Sequence, residues 1–177
     1  MTPAPSRFSL SASLAALLAP LLAAWLGATL AVWWSATGAF QALSPARNPA
    51  IAQRLAPVEE PRREALLRQL AGEVNRHMFR GWTRAQLVLA AAALFAAWMG
   101  GALRGRGRAL GCLVLLAGVA AVQGLWLSPE IERLGILLER AREEATARRF
   151  GLLHAAYSGS DLAKLALLAG GLWWTRK

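Results

Sequence analysis

The chain has 177 residues, 56% hydrophobic and only 17% charged, with a mean hydropathy of +0.37. Soluble domains carry about 25% charged residues, so composition alone argues against an ordinary soluble enzyme. Lys and Arg number 20 against 10 Asp and Glu, a formal net charge of +10, and the lone Cys112 excludes a disulfide framework or cysteine metal cluster.

The spacing of the charges carries the first inference. Residues 8–46, 85–103 and 109–129 contain none, and residues 150–175 contain only His154, Asp161 and Lys164. A helix needs about 20 mostly apolar residues to cross the hydrocarbon core. All four stretches are rich in Ala and Leu, and none alternates as a barrel strand would. In lipid the backbone must satisfy its own hydrogen bonds, which favours helices. The expected fold is all-α: one membrane domain over 1–177, a bundle of four transmembrane helices near 17–43, 85–103, 109–127 and 151–175. Polar segments 44–84 and 128–150 supply two amphipathic surface helices on one side.

In chain order, the first stretch is too long for one crossing, since its 39 residues would reach roughly 58 Å as a helix. Pro20 kinks it or starts the spanning part. A signal peptide fits Arg7 and the small residues near Ala24–Ala28, but the chain stays apolar through Thr29–Ala42, so an uncleaved helix is expected. Trp33 and Trp34 then fall near one interface. Trp82, Trp98, Trp126, Trp173 and Trp174 mark the ends of the other spans, as an aromatic belt would.

Between the first two spans, Pro45, Pro49 and Pro57 keep the chain irregular. Glu59, Glu60 and Pro61 suit an opening helical turn. Leu67, Leu70, Ala71, Val74 and Met78 follow at helical spacing, with Glu64 and Arg68 as an i,i+4 pair. This helix is either a membrane-surface or partner helix or a plain cap on the bundle. Residues 128–149 repeat the design with Ser128, Pro129 and Glu130, a stripe of Ile131, Leu134 and Leu138, and the pair Glu144–Arg148. Nothing between Arg149 and Leu153 forces a break before the fourth span. Gly100, Gly101, Gly118, Gly124, Gly170 and Gly171 suit close helix approach.

Orientation is contested. The turn Arg104-Gly-Arg-Gly-Arg108 shares a side with both termini, and that side holds 6 Lys and Arg against 13 on the loop side. Counting puts the loops in the cytoplasm. The density of Arg in the turn favours both termini inside, which is the expectation adopted. Basic residues bracket the spans instead of forming a stripe among aromatics, which argues against nucleic acid.

No nucleotide, zinc-protease or serine-hydrolase motif occurs, so no catalytic residue and no enzyme activity is expected. The fourth span is the best lead. His154, Tyr157, Ser158, Asp161 and Lys164 share one helical face. Asp161 and Lys164 fall mid-span, where each costs about 2.5–3.5 kcal/mol, and such residues usually mark a functional site facing the bundle interior. The competing readings are an inert i,i+3 ion pair and a snorkelling Lys164. His77 and His154, the only histidines, both precede a span on the loop side. They are candidate haem ligands or half of a transition-metal site, or two ordinary interfacial histidines.

Several runs resemble a known family. They are Ala71-Gly-Glu-Val-Asn75 through Phe79-Arg80 and Trp82, Leu127-Ser-Pro-Glu-Ile131, and above all Arg149-Phe-Gly-Leu-Leu-His154 followed by Asp161-Leu162. These look like the bacterial domain-of-unknown-function 4149 family, whose relatives include the eukaryotic transmembrane protein 205. The likeness covers about residues 21–175. The chain departs from it at Ala155, where the family has Gly, at Asp161, where it has Asn, and in a longer proline-rich insert at 44–61. The resemblance implies a four-helix, multi-pass protein of a bacterial inner membrane, with weight on His154. The association of the eukaryotic relatives with drug resistance and secretion implies transport or trafficking.

The leading functional expectation is a non-enzymatic membrane protein that handles a small solute through the polar face of its last helix, with no cofactor. The alternatives are a haem- or metal-binding redox protein using His154 and His77, and a structural subunit. Expected partners are the lipid bilayer and a homo-oligomer or larger membrane protein. One copy has no visible inverted repeat, so transport would need an oligomer. An absorption spectrum and metal assay of the purified protein separate the first two readings. The expected outcome is a colourless, metal-free protein from haem- and metal-replete cells. A Soret band or stoichiometric metal, lost in His154→Ala, would install the redox reading instead.

Overall fold

A computed structural model describes residues 7–101, 107–141 and 143–175, with side chains for all but residues 7–11 and 108. The turn residues Arg104 to Arg106, Arg142, Arg176 and Lys177 therefore lie outside the described residues, as do the side chains of Arg7 and Arg108. Among the described residues the chain is helical, with no strand. The helices are α1 (Arg7–Ala16), α2 (Leu18–Ala42), α3 (Pro49–Arg54), α4 (Glu60–Met99), α5 (Gly107–Val122), α6 (Ser128–Arg140) and α7 (Glu144–Thr175). A π-helical segment, Gln123–Leu127, joins α5 to α6.

Pro20 stands in the first turn of α2, where a missing N–H costs little. Asn48 caps α3, its Oδ1 accepting from Ile51 N at 3.4 Å while its Nδ2 donates to Ala42 O at 2.9 Å, so one side chain ties the end of α2 to the next helix. The α4 helix opens at Glu60 with Pro61 in its first turn and stops where Gly101 takes a φ of 60°, a conformation that suits glycine.

Two expected boundaries are missing. The helix before the second span and that span are one rod of 40 residues, about 60 Å long against about 30 Å of hydrocarbon. Neither proline nor a polar cap interrupts residues 62–99. Similarly, α5, the π segment and α6 run on as one rod. Pro129 would press its ring on the carbonyl four residues back, that of Leu125. The wider π turn lies across that position and relieves the conflict. The outgoing helix ends instead at Ala141, extended at φ −147° and ψ 124°, and the next helix opens at Glu144. Residues 144–149 therefore belong to the returning helix α7 and not to the outgoing one.

Three helical stretches are long and apolar enough to cross a membrane: Ala12–Ala42, Glu60–Met99 and Ala109–Arg140. By length and composition they mark the chain, whose described residues are almost all helical, as a membrane protein. The 32-residue α7 carries Asp161 and Lys164 in its middle and is less apolar. The α2 helix packs against α4 and α7, and α5 packs against the same two. The core joins Leu18, Leu22 and Trp25 of α2 to Leu113, Leu116 and Ala120 of α5, across Ala90, Ala93 and Ala97 of α4 and Leu168 of α7. The alanines recur at i, i+3 and i+7, so α4 offers a line of small side chains on which its neighbours close. The outer surface is also apolar: Val88, Phe95, Leu125, Leu152 and Leu162 are exposed, as suits helices solvated by lipid.

On the loop side, α6 packs against α4 and α7. Ion pairs hold that contact: Arg76 to Glu139 at 2.6 Å, Arg80 to Glu132, and Arg149 to Glu130 at 2.8 Å. The expected pairs Glu64–Arg68 and Glu144–Arg148 do not form among the described residues. The i,i+3 partners Glu73–Arg76 and Glu130–Arg133 meet instead, at 2.7 and 2.8 Å. The buried line of α4 is Leu67, Ala71, Asn75 and Trp82, leaving Leu70 and Val74 about half exposed. The aromatic belt also needs correction. Trp34, Trp98, Trp126, Trp173 and Trp174 are exposed, but Trp25 and Trp82 are buried and Trp33 turns toward α7.

Three of the six singled-out glycines sit at close contacts. A Cβ on Gly100 would lie 2.6 Å from Ala15 N of α1, one on Gly124 would lie 3.1 Å from Thr83, and one on Gly171 would lie 3.1 Å from Leu22. Gly118 and Gly170 have nothing within 4 Å. Gly100→Ala is therefore expected to push α1 off the end of α4 and cost about 1–3 kcal/mol in detergent unfolding. Gly118→Ala is expected to lower stability not at all. Equal losses in the two variants would remove the packing role assigned to Gly100.

Candidate functional site: a buried ion pair beneath an interhelical cavity

The α7 helix brings Asp161 and Lys164 to the bundle axis, 1% and 0% exposed. Lys164 Nζ donates to Asp161 Oδ1 at 2.7 Å, to Gln86 Oε1 of α4 at 2.8 Å and to Gln123 Oε1 of the π segment at 2.7 Å. Those three acceptors match the three protons of an ammonium. Nζ also lies over the Trp82 ring, 5.7 Å from the centroid. Asp161 Oδ1 also accepts from Gln123 Nε2 at 2.9 Å, and Oδ2 accepts from Trp33 Nε1 of α2 at 2.8 Å. Ser160 completes the layer, accepting from Gln123 Nε2 at 2.7 Å and donating to Tyr157 O at 2.7 Å. Gln86 Nε2 is the one buried amide group of this layer with no partner among the described residues.

The network joins all four long rods at one level. Its charges cancel and its donors are largely matched, which is what a charged pair needs where water cannot reach it. Lys164 therefore does not snorkel. It is held at the centre, with its stem packed among buried residues.

On the loop side of this layer the helices diverge around a cavity of about 1120 Å³. Pockets for small molecules usually measure about 300–1,000 Å³, so this one is large. Each wall is a single helical face: Trp33, Thr37 and Phe40 on α2; Asn75, Phe79 and Thr83 on α4; Ile131, Gly135 and Leu138 on α6; Phe150, His154 and Tyr157 on α7. Asp161 and Trp33 form its deep end. Thr83 Oγ1 meets Ser128 Oγ at 3.2 Å where α4 passes the π segment. Tyr157 packs edge-on against Phe79, with ring centroids 5.8 Å apart.

The five polar residues of the last helix thus have two fates. His154, Tyr157, Ser158 and Asp161 line the cavity, whereas Lys164 lies behind it and steadies Asp161. His154 is exposed and stacks on Phe150 at 5.8 Å and 10°. His77 is exposed on α4 and does not line the cavity. Among the described residues no group of three or more His, Cys, Asp or Glu is gathered for a metal ion.

Sequence reasoning missed Trp33, Gln86, Gln123 and Ser160. A signal existed for two of them: Gln86 is the only amide side chain in residues 85–103, and Gln123 the only one in 109–129. A lone amide in a long apolar run costs free energy unless it is paired. No protein-family model, curated protein or solved structure matches the chain.

Removing one member of a buried pair strands the other. Lys164→Met is expected to cost about 3–5 kcal/mol, because Asp161 is left charged and buried. Asp161→Leu combined with Lys164→Met should recover most of that loss. Unfolding in graded denaturing detergent measures both. A double variant no more stable than Lys164→Met alone would contradict this account of the pair.

Proposed function

We propose that the protein is a four-span protein of a bacterial inner membrane that binds a small solute in the cavity between α2, α4, α6 and α7. The observation that carries this reading is that His154, Tyr157, Ser158 and Asp161 open onto one cavity of about 1120 Å³. Its walls are mostly apolar with a few convergent polar groups, the usual character of a ligand site. The fixed Asp161 carboxylate and the rings of Trp33 and Tyr157 offer a preorganised deep end.

In this reading α7 is the fourth span. Its 32 residues exceed the roughly 20 that a crossing needs. Its two mid-helix charges are buried against each other, so lipid meets neither. The likeness of Arg149–His154 and Asp161–Leu162 to the domain-of-unknown-function 4149 family belongs to the same proposal. The role is binding and handling, with no covalent chemistry on the solute. Passage across the membrane then requires a second copy or a larger partner, because the polar layer closes the deep end of the cavity. Both termini are placed in the cytoplasm, so the cavity opens toward the opposite face.

Single-cysteine labelling tests this. In a Cys112→Ser background, Ser158→Cys is expected to react with a membrane-impermeant maleimide added to right-side-out vesicles. Leu162→Cys, on an exposed apolar position of the same helix, is expected not to react. Gly135→Leu, which fills the wall opposite Phe150, should slow the labelling of Ser158→Cys. If Ser158→Cys is as inert as Leu162→Cys from either side, the cavity is not an accessible site and the proposal falls.

A further inference from the structure

The charges around the cavity are unequal, and most of the excess is at one end. Five arginines line it: Arg47, Arg68, Arg76, Arg80 and Arg84. Two are already engaged. Arg76 pairs with Glu73 and Glu139, and Arg80 with Glu132. Arg47, Arg68 and Arg84 pair with no carboxylate among the described residues, and all three are exposed. Arg68 lies 18 residues before Gln86 on α4, so it stands about 27 Å along the helix from the ion-pair layer. Arg47 follows the end of α2, beyond Phe40 and Ser44. Two of the three uncommitted cations therefore sit at the end far from Asp161, whereas Arg84, two residues before Gln86 on α4, stands near the level of the ion-pair layer.

Between those ends the lining is apolar: Phe40, Phe79, Ile131, Leu138 and Phe150. The wall supplied by α7 runs 11 residue steps from Phe150 to Asp161, or about 16 Å of rise. The cavity is therefore long, apolar along its middle and cationic at its mouth. The opposite end holds a carboxylate whose charge is matched by Lys164, with Arg84 as the one uncommitted cation near that level against two at the mouth.

We propose, resting on the reading of the cavity as a binding site, that its ligand is an amphiphile with an anionic head and a single acyl chain. The head lies between Arg47 and Arg68, and the chain runs down past Phe79 and Phe150 toward the Tyr157 ring. Guanidinium groups suit both carboxylate and phosphate heads, which they bind through paired N–H donors. The head stays beside the exposed Arg47 and Arg68 at the polar end and only the chain runs along the apolar middle, so no charge is desolvated to fill the site.

The test uses the full chain in nanodiscs of neutral phosphatidylcholine, with an environment-sensitive fluorophore on Ser158→Cys in the Cys112→Ser background. Dodecanoate and dodecyl phosphate are titrated against dodecyltrimethylammonium, which has the same chain, and against inorganic phosphate, which has no chain. Saturable shifts with the two anionic amphiphiles alone are expected. Arg47→Gln with Arg68→Gln should weaken both about tenfold or more, the scale of one lost charge-assisted hydrogen bond. These residues are exposed, so the variant keeps the fold. Equal binding of dodecyltrimethylammonium, or binding unchanged in the arginine variant, would overturn the anionic head and leave the cavity reading standing. Inorganic phosphate binding as tightly as dodecyl phosphate would overturn the chain. If Ser158→Cys labels from solution but no amphiphile shifts the fluorophore, this inference fails alone. If it does not label, both readings fail together.

Discussion

A carboxylate and an ammonium at the axis of an apolar bundle constrain nearly everything around them. Asp161 and Lys164 are three residues apart on α7, and their side chains can meet without help from any other helix. The pair alone would leave further donors and acceptors unmatched in a place without water. Gln86, Gln123 and Trp33 answer that need, one from each of the other long rods. The rotation of α2, α4 and the π segment about their own axes is fixed by this requirement, because each must turn its one polar group inward at the same height. Apolar packing between Ala- and Leu-rich helices in lipid is weakly directional. The hydrogen bonds supply the direction.

That layer also divides the bundle in two. On the side of the short turn, the alanines of α4 let α2, α5 and α7 close into a dry core. On the loop side, larger side chains and the outgoing α6 hold the rods apart, and the cavity occupies the space between. The ion pairs of Arg76, Arg80 and Arg149 with α6 keep the walls of the cavity in position without filling it. A closed floor and an open mouth suit a binding pocket better than a pore.

The charge-free runs make the helical, membrane-embedded class legible, because lipid tolerates few exceptions to that pattern. The face shared by His154, Tyr157, Ser158 and Asp161 is legible too, since helical spacing alone puts them together. The partners of Asp161 and Lys164 are not, because they come from 78 and 41 residues away for the lysine and 128 for the aspartate. Trp33 reads as an interfacial ring until a carboxylate is placed across from it. Its indole N–H then has a reason to turn inward. The reach of α4 is hidden for a different reason. The change from polar to apolar at Arg84 looks like a boundary between two helices, whereas it marks only where one helix enters a different solvent. The uncommitted arginines emerge only after the committed ones are known, since Arg68 looks paired to Glu64 when the helix is read alone.

The π segment carries a consequence for register. Each residue turns an α-helix by about 100°, so one extra residue within a rod rotates everything beyond it relative to everything before. Gln123–Leu127 therefore acts as a phase shifter between two helical wheels. The wheel of α5 is set by lipid and by the alanines of α4. The wheel of α6 is set by Glu132 and Glu139, which must meet Arg80 and Arg76. A regular helix through this point could satisfy one wheel or the other. The wider turn lets a single rod obey two different neighbourhoods, and it does so at the height where Gln123 has to reach the bundle axis.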